Sequence, residues 1–249
     1  MFNYQATENL LKNKVILVTG AGDGIGKAAA LSYARHGATV LLLGRTVSKL
    51  ETVYDAIEAI NGPKPAIIPL NLEGAAEKDY DDVAVSIENE FGKLDGILHN
   101  AALLGSLTPI EQYEVPVWNK LMQVNVTAPF ILTRALIPLL RLSDDPSIVF
   151  TSSSVGKQGR AFWGAYAVSK FANEGLMQVL AHELDTEDDA IRVNSINPGA
   201  TRTAMRASAF PAENPANNPT PEEIMPIYLY LMGKDSQGET GIAFDAQTK

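Results

Sequence analysis

Residues 19–26 constrain this chain more than any others. They read Thr19-Gly20-Ala21-Gly22-Asp23-Gly24-Ile25-Gly26, with four glycines in seven positions. The apolar run Val15 to Thr19 (VILVT) precedes them, of a length that suits a strand buried on both faces. An apolar pattern of helical period follows through Ile25, Ala28, Ala29, Leu31 and Tyr33 and stops near Gly37. A strand that turns this sharply into a helix needs residues without Cβ at the corner. The same corner offers free N–H groups and the positive end of the helix dipole, so a pyrophosphate can reach the backbone. Gly20, Asp23, Gly24, Ile25 and Gly26 are therefore the first candidate binding residues, and a tight turn without a ligand is the plain alternative.

The strand-to-helix pattern then repeats. Thr39 to Gly44 (TVLLLG) reads as a second strand followed by a helix from about Ser48, and Ala66 to Leu70 (AIIPL) as a third. A polar helix from about Glu77 to Phe91 leads into LDGILHN, the fourth strand. Pro116 opens a long helix with an apolar stripe through Leu121, Val124, Ile131, Leu132 and Leu136. Ser147 to Thr151 and Ile191 to Ile196 are further strands around a helix from about Trp163 to Leu184, and Ile242 to Phe244 closes the series. This alternation implies an α/β fold: a single doubly wound, Rossmann-like domain over 1–249, with about seven mostly parallel strands and helices on both faces. A stretch at about 203–221, rich in Pro, Asn and Ala, reads as a lid-like substrate loop.

Composition narrows the function classes. A net charge of -9 repels phosphate backbones and anionic lipid, so neither nucleic acid nor membrane is an expected partner. The absence of cysteine excludes disulfides, thiolate metal sites and thiol nucleophiles. His36, His99 and His182 have no metal-ligand spacing, so no metal site is expected. Met1 to Lys14 contains no apolar run long enough for a signal peptide or a span, and a cytoplasmic protein is the expectation.

Dinucleotide folds often place an acid about 20 residues beyond the glycines to accept from the adenosine ribose. Here Gly44-Arg45-Thr46 ends the second strand with a guanidinium instead, which suits a 2′-phosphate. NADP(H) is favoured over NAD(H), and a simple surface arginine is the alternative. Tyr166 and Lys170 form Y-x-x-x-K, one helix turn apart on one face. The spacing alone is weak, because Tyr230 and Lys234 repeat it. Tyr166, however, sits among small residues (GAYAVSK) and follows a strand ending Thr151-Ser152-Ser153-Ser154. Asn125 is a poor mid-helix residue. Pro129, four positions later, has no N–H, so the Asn125 carbonyl loses its helical partner and is free to hold a water; a plain kink is the alternative.

Over essentially its whole length the chain resembles the short-chain dehydrogenase/reductase family. The resemblance rests on T-G-x-x-x-G-x-G at Thr19 to Gly26, Asn100-Ala101, Asn125, Ser153 thirteen residues before Tyr166, Y-x-x-x-K, and Asn197-Pro198-Gly199 followed by Thr203. Segments such as FTSSSVG, GAYAVSKFA and NPGATRTAMRASAF resemble, more narrowly, the YciK-type bacterial oxidoreductases. The resemblance implies hydride transfer between NADP(H) and a small-molecule carbonyl or alcohol substrate. Tyr166 is then the acid/base, Ser153 a hydrogen-bond donor to the substrate oxygen, and Lys170 the partner of both the phenol and the nicotinamide ribose. Asn125 would anchor a water linking the lysine to solvent. A cation at ~4 Å with an effective dielectric of ~20 favours phenolate by ~4 kcal/mol, so Lys170 is expected to lower the phenol's pKa by roughly three units. Implied cofactor residues add Thr46, Asn71, Leu72, Asn100, Ala101, Pro198, Gly199, Thr201 and Thr203 to those of the glycine turn, Arg45, Tyr166 and Lys170. Family members commonly form homodimers or homotetramers through the helices that carry Asn125 and Tyr166.

Three departures stand out: His99-Asn100-Ala101-Ala102 where Asn-Asn-Ala-Gly is usual, Asn71 for an aspartate, and Asp245-Ala246-Gln247 for Asp-Gly-Gly. Leu103, Leu104, Phe162, Trp163, Met205 and Phe210 are candidates for an apolar substrate pocket, with core packing the alternative. A non-catalytic NADP(H)-binding regulator is the competing function. A nucleotide-sugar epimerase or dehydratase would need a larger substrate region than the roughly 50 residues after Asn197 supply.

Overall fold

The computed structural model describes residues 1–186 and 190–247. In β1 (Val15–Thr19) every side chain is buried, because neighbours cover both faces. Val15 and Leu17 enter one hydrophobic core while Ile16 and Val18 enter the other, following the two-residue period of a strand. The remaining elements follow in the order α1 (Gly24–Arg35), β2 (Thr39–Gly44), α2 (Val47–Ala59), β3 (Ala66–Pro69), α3 (Glu77–Phe91) and β4 (Gly96–His99). Then come α4 (Val115–Met122), α5 (Ala128–Leu140), β5 (Ser147–Thr151), α6 (Gly164–Glu183), β6 (Arg192–Asn197), α7 (Ala204–Ala209), α8 (Met225–Met232) and β7 (Ala243–Asp245).

The seven strands form one sheet in the order β3-β2-β1-β4-β5-β6-β7, and every pairing is parallel. α1, α2 and α8 cover one face through Ala29, Tyr33, Val53, Ile57 and Ile227. α3, α5 and α6 cover the other through Tyr80, Ile87, Leu132, Leu136 and Met177. The order reverses between β1 and β4, which opens a crevice above their carboxyl ends.

Between α4 and α5 the chain continues as a helix of wider pitch, Gln123–Thr127, in which the Ala128 N–H donates to the Gln123 carbonyl. This segment contains Asn125 and ends just before Pro129, the residue that cannot complete the ordinary ladder. The whole run Val115–Leu140 is long and apolar enough to cross a membrane by length and composition, yet half of its most apolar stretch is buried inside the fold.

The expected loop at about 203–221 contains more structure than its composition implies. Thr203 caps α7 by accepting from the Arg206 N–H (3.1 Å). Arg206 then grips Glu213 through two bonds of 2.6 Å, and Arg202 donates to the carbonyls of Pro215 and Asn218 at 3.0 Å. Side-chain clips of this kind leave no mark in residue-type patterns.

Candidate active site

Thr19, the last residue of β1, stitches the crevice together. Its hydroxyl oxygen accepts from the backbone N–H groups of Asn100 (2.9 Å) and Ala101 (3.0 Å), just beyond β4. Gly20 follows with φ +67°, and a Cβ there would lie 3.0 Å from Ala101 Cα. Gly26 is needed for a different reason: a Cβ would lie 2.2 Å from the Gly20 carbonyl oxygen and 2.6 Å from Asn100 Nδ2. Gly26 therefore does not line the cleft as expected. It lets the first turn of α1 come close to the glycine corner.

The cleft above this corner has a volume of about 460 Å³. Gly20, Asp23, Gly24, Ile25, Arg45, Thr46, Asn71, Leu72, Asn100 and Ala101 line it together with Ser153, Tyr166, Lys170, Pro198, Gly199, Thr201 and Thr203, the last lying beside Gly24. Asp23 caps α1 by accepting from the Gly24 N–H (2.8 Å) and pairs with Lys49 (2.5 Å), which holds its carboxyl below the usual carboxylate range. Arg45 is exposed and has no acidic partner among the described residues. Ala102 does not adopt a positive φ, so its methyl is carried without backbone strain. Gln247 takes over at the C-terminal departure. Its amide donates to the carbonyls of Pro198 (2.8 Å) and Ala200 (3.0 Å), bracing the Asn-Pro-Gly loop.

In the same cleft, α6 presents Tyr166 and Lys170 one turn apart, both buried. Lys170 Nζ donates to the Thr151 carbonyl at the end of β5 (2.7 Å) and lies 5.5 Å from the centre of the Tyr166 ring. Burial pushes the Tyr166 phenol up to about 12, against a hydrogen bond with Ser153 that pulls it down. Burial likewise pushes Lys170 down to about 8, opposed by the Glu174 carboxylate. The expected lowering of the phenol is thus not found: burial of the ring raises it, and Lys170 spends a hydrogen bond on the Thr151 carbonyl. Ser153 caps the short turn Ser154–Gly156, accepting from the Val155 N–H at 3.4 Å. Ser152 also lines the cleft, and its buried hydroxyl has no hydrogen-bond partner among the described residues.

Asn125 does not line the cleft. Its side chain lies behind the wall, accepting from the Leu103 N–H (2.8 Å) and donating to the Leu103 carbonyl (2.9 Å) and Ser169 hydroxyl (3.1 Å). It thereby ties the loop after β4 to the helix that carries Tyr166. Of the expected apolar lining, Leu103, Leu104, Trp163, Met205 and Phe210 are present. Phe162 is not; it points to solvent and is 57% exposed. His99 is a packed residue: Nε2 meets the Thr133 hydroxyl at 2.8 Å, and its ring stacks on Phe150. No group of three His, Cys, Asp or Glu side chains suited to a metal occurs among the described residues.

Sequence reasoning missed Glu174, which is buried one turn beyond Lys170 and accepts from Ser195 of β6 at 2.9 and 3.0 Å. Its position four residues after Lys170 was the available signal. The assembled site places the buried Tyr166 phenol and the Ser153 hydroxyl in one cleft wall, with the Lys170 cation against the phenol ring.

A family model described as short chain dehydrogenase matches residues 14–214. The uncharacterized oxidoreductase YciK of Escherichia coli K12 is 55% identical over 245 residues, covering 98% of this chain and 96% of that protein. A Shigella flexneri 2a short chain dehydrogenase structure complexed with NADP has 54% identity and a TM-score of 0.94, covering 97% of this chain and 100% of that one. One from E. coli CFT073 complexed with NADPH has 55% identity and a TM-score of 0.94, covering 98% and 100%.

Proposed function

The chain belongs to the short chain dehydrogenase family, and we propose that within it this protein is an NADP(H)-dependent carbonyl reductase with Tyr166 as its proton donor. The carrying observation is the buried phenol of Tyr166 in the cleft wall, with Ser153 in the same wall and Lys170 against its ring.

The lining residues fit a dinucleotide bearing a 2′-phosphate. Gly20 leaves the backbone open to a pyrophosphate, and α1 points its amino end there. Arg45 offers an unpaired guanidinium where an NAD site would need an acceptor, and the NADP and NADPH complexes of close relatives agree with that reading. NAD(H) is the alternative cofactor. When bound, the reduced nicotinamide supplies the hydride.

The residues of the chain do the rest. Ser153 donates to the substrate oxygen and orients it toward Tyr166. A phenol held near 12 is fully protonated at neutral pH, the form that donates to a carbonyl oxygen as it gains charge. Lys170, lowered to about 8, sits near enough to neutrality to help return a proton to the phenol. The Asn125 carbonyl, without an ordinary helical partner ahead of Pro129, holds a water on the path to solvent. Residues at about 203–221 form the substrate lid.

The setting follows the same reading: a cytoplasmic protein acting on a small molecule, not on nucleic acid or membrane. Exposed Phe130 on α5 and Val168, Phe171 and Val179 on α6 support a homodimer or homotetramer joined through these helices.

Following NADPH absorbance against aldehydes, ketones, quinones and 3-oxoacyl compounds tests the proposal. Turnover of at least one class is expected. NADPH binding with no turnover of any class would favour a regulator and overturn it.

A further inference from the structure

Residues 160–163 form a tight turn closed by the Trp163 N–H donating to the Arg160 carbonyl (3.2 Å). Its third residue, Phe162, has φ +71°, a conformation that favours glycine or asparagine. Holding an aromatic residue there costs on the order of 1 kcal/mol or more. The turn sends Phe162 outward, Trp163 into the cleft, and Arg160 back over the Trp163 ring at 5.8 Å.

Phe210, at the end of α7, meets this turn from the other side. Its ring lies 5.8 Å from that of Trp163, and Trp163 lies 5.8 Å from that of Tyr166. Two guanidinium groups lie over Phe210: Arg206 at 3.7 Å and Arg160 at 5.6 Å. They differ in charge balance. Arg206 is neutralised by Glu213 through two 2.6 Å bonds, whereas Arg160 is exposed and has no acidic partner among the described residues. A guanidinium lying over aromatic rings keeps its N–H edge available for a carboxylate or phosphate.

We propose that the substrate is an aromatic or flat apolar carbonyl compound carrying an anionic group, which the N–H edge of Arg160 binds at the outer rim of the Trp163–Phe210 pair. The inference rests on the carbonyl-reductase reading above. Leu103, Leu104 and Met205 line the cleft beside Tyr166 and Trp163 and hold the apolar body, while Arg160 lies over the Trp163 ring one step further from Tyr166. In a chain with a net charge of -9, an anionic substrate is otherwise repelled, and an uncompensated cation at this rim favours its approach.

The test compares 4-carboxybenzaldehyde with its neutral isostere 4-carbamoylbenzaldehyde as substrates with NADPH. The native protein should prefer the acid in kcat/KM, and added salt should erode that preference. In Arg160→Gln the acid-to-amide ratio should fall about tenfold, while Arg160→Lys should retain part of it. A ratio that is the same in the native protein and Arg160→Gln overturns this inference alone, since both aldehydes are still reduced. If neither aldehyde is reduced by the native protein while other carbonyl classes are, the inference fails and the reductase reading stands. If no carbonyl of any class is reduced, both fail together.

Discussion

Lys170 Nζ lies 5.5 Å from the centre of the Tyr166 ring while donating to the Thr151 carbonyl at 2.7 Å. The lysine is thereby fixed between β5 and α6. Burial lowers its pKa, and Glu174, one turn along the helix, counteracts this. Its charge therefore depends on a second buried residue outside the cleft lining.

Replacing that neighbour tests the dependence. In Glu174→Gln the amide can still accept from Ser195, so packing is retained, but the negative charge is gone. Lys170 should then lose its proton more easily, and the high-pH limb of kcat should move about one pH unit toward neutrality. The groups that bear on Lys170 are Tyr166 and Glu174 on α6 and the Thr151 carbonyl on β5. An unchanged limb would show that Glu174 only packs.

Arg45 is the specificity prediction. Arg45→Gln should lower the ratio of kcat/KM for NADPH over NADH by roughly tenfold or more, since hydrogen bonds to charged groups contribute about 1.5–3 kcal/mol. Steady-state kinetics with both cofactors reads this directly. Equal losses with both would remove the 2′-phosphate assignment.

His99 makes an acid-stability prediction. Burial pushes its pKa down to about 3 from an unfolded value near 6.5. Between these values the unfolded chain binds the proton and the folded chain does not, so stability is lost as pH falls from about 6.5 toward 3. The loss is at most about 5 kcal/mol. Urea unfolding of His99→Gln across this window should show a shallower pH dependence than the native protein; equal slopes would contradict it.

Much of this was legible in the sequence. Apolar runs without alternation marked strands covered on both sides, and β1, β2 and β5 have the expected bounds. The glycine corner and Pro129 each carry a local steric rule, so the turn at Gly20 and a disturbed helical ladder at Asn125 followed from residue types, whereas the form of the disturbance, a widened helical turn, did not. Contacts between distant segments were not legible. Nothing local shows that Gln247 braces Pro198, that Arg206 clips Glu213, or that Phe162 points out while Trp163 points in. The phenol's upward shift was missed for the same reason, because spacing gives the lysine's charge but not the dehydration around it.

The most direct test of the central claim is Tyr166→Phe, assayed for both turnover and NADPH affinity. Removing one hydroxyl from a buried ring should leave the fold and the NADPH Kd unchanged while carbonyl reduction falls by about 10²–10⁴-fold. Undiminished reduction in Tyr166→Phe would contradict the account, because the phenol would then not be the proton donor.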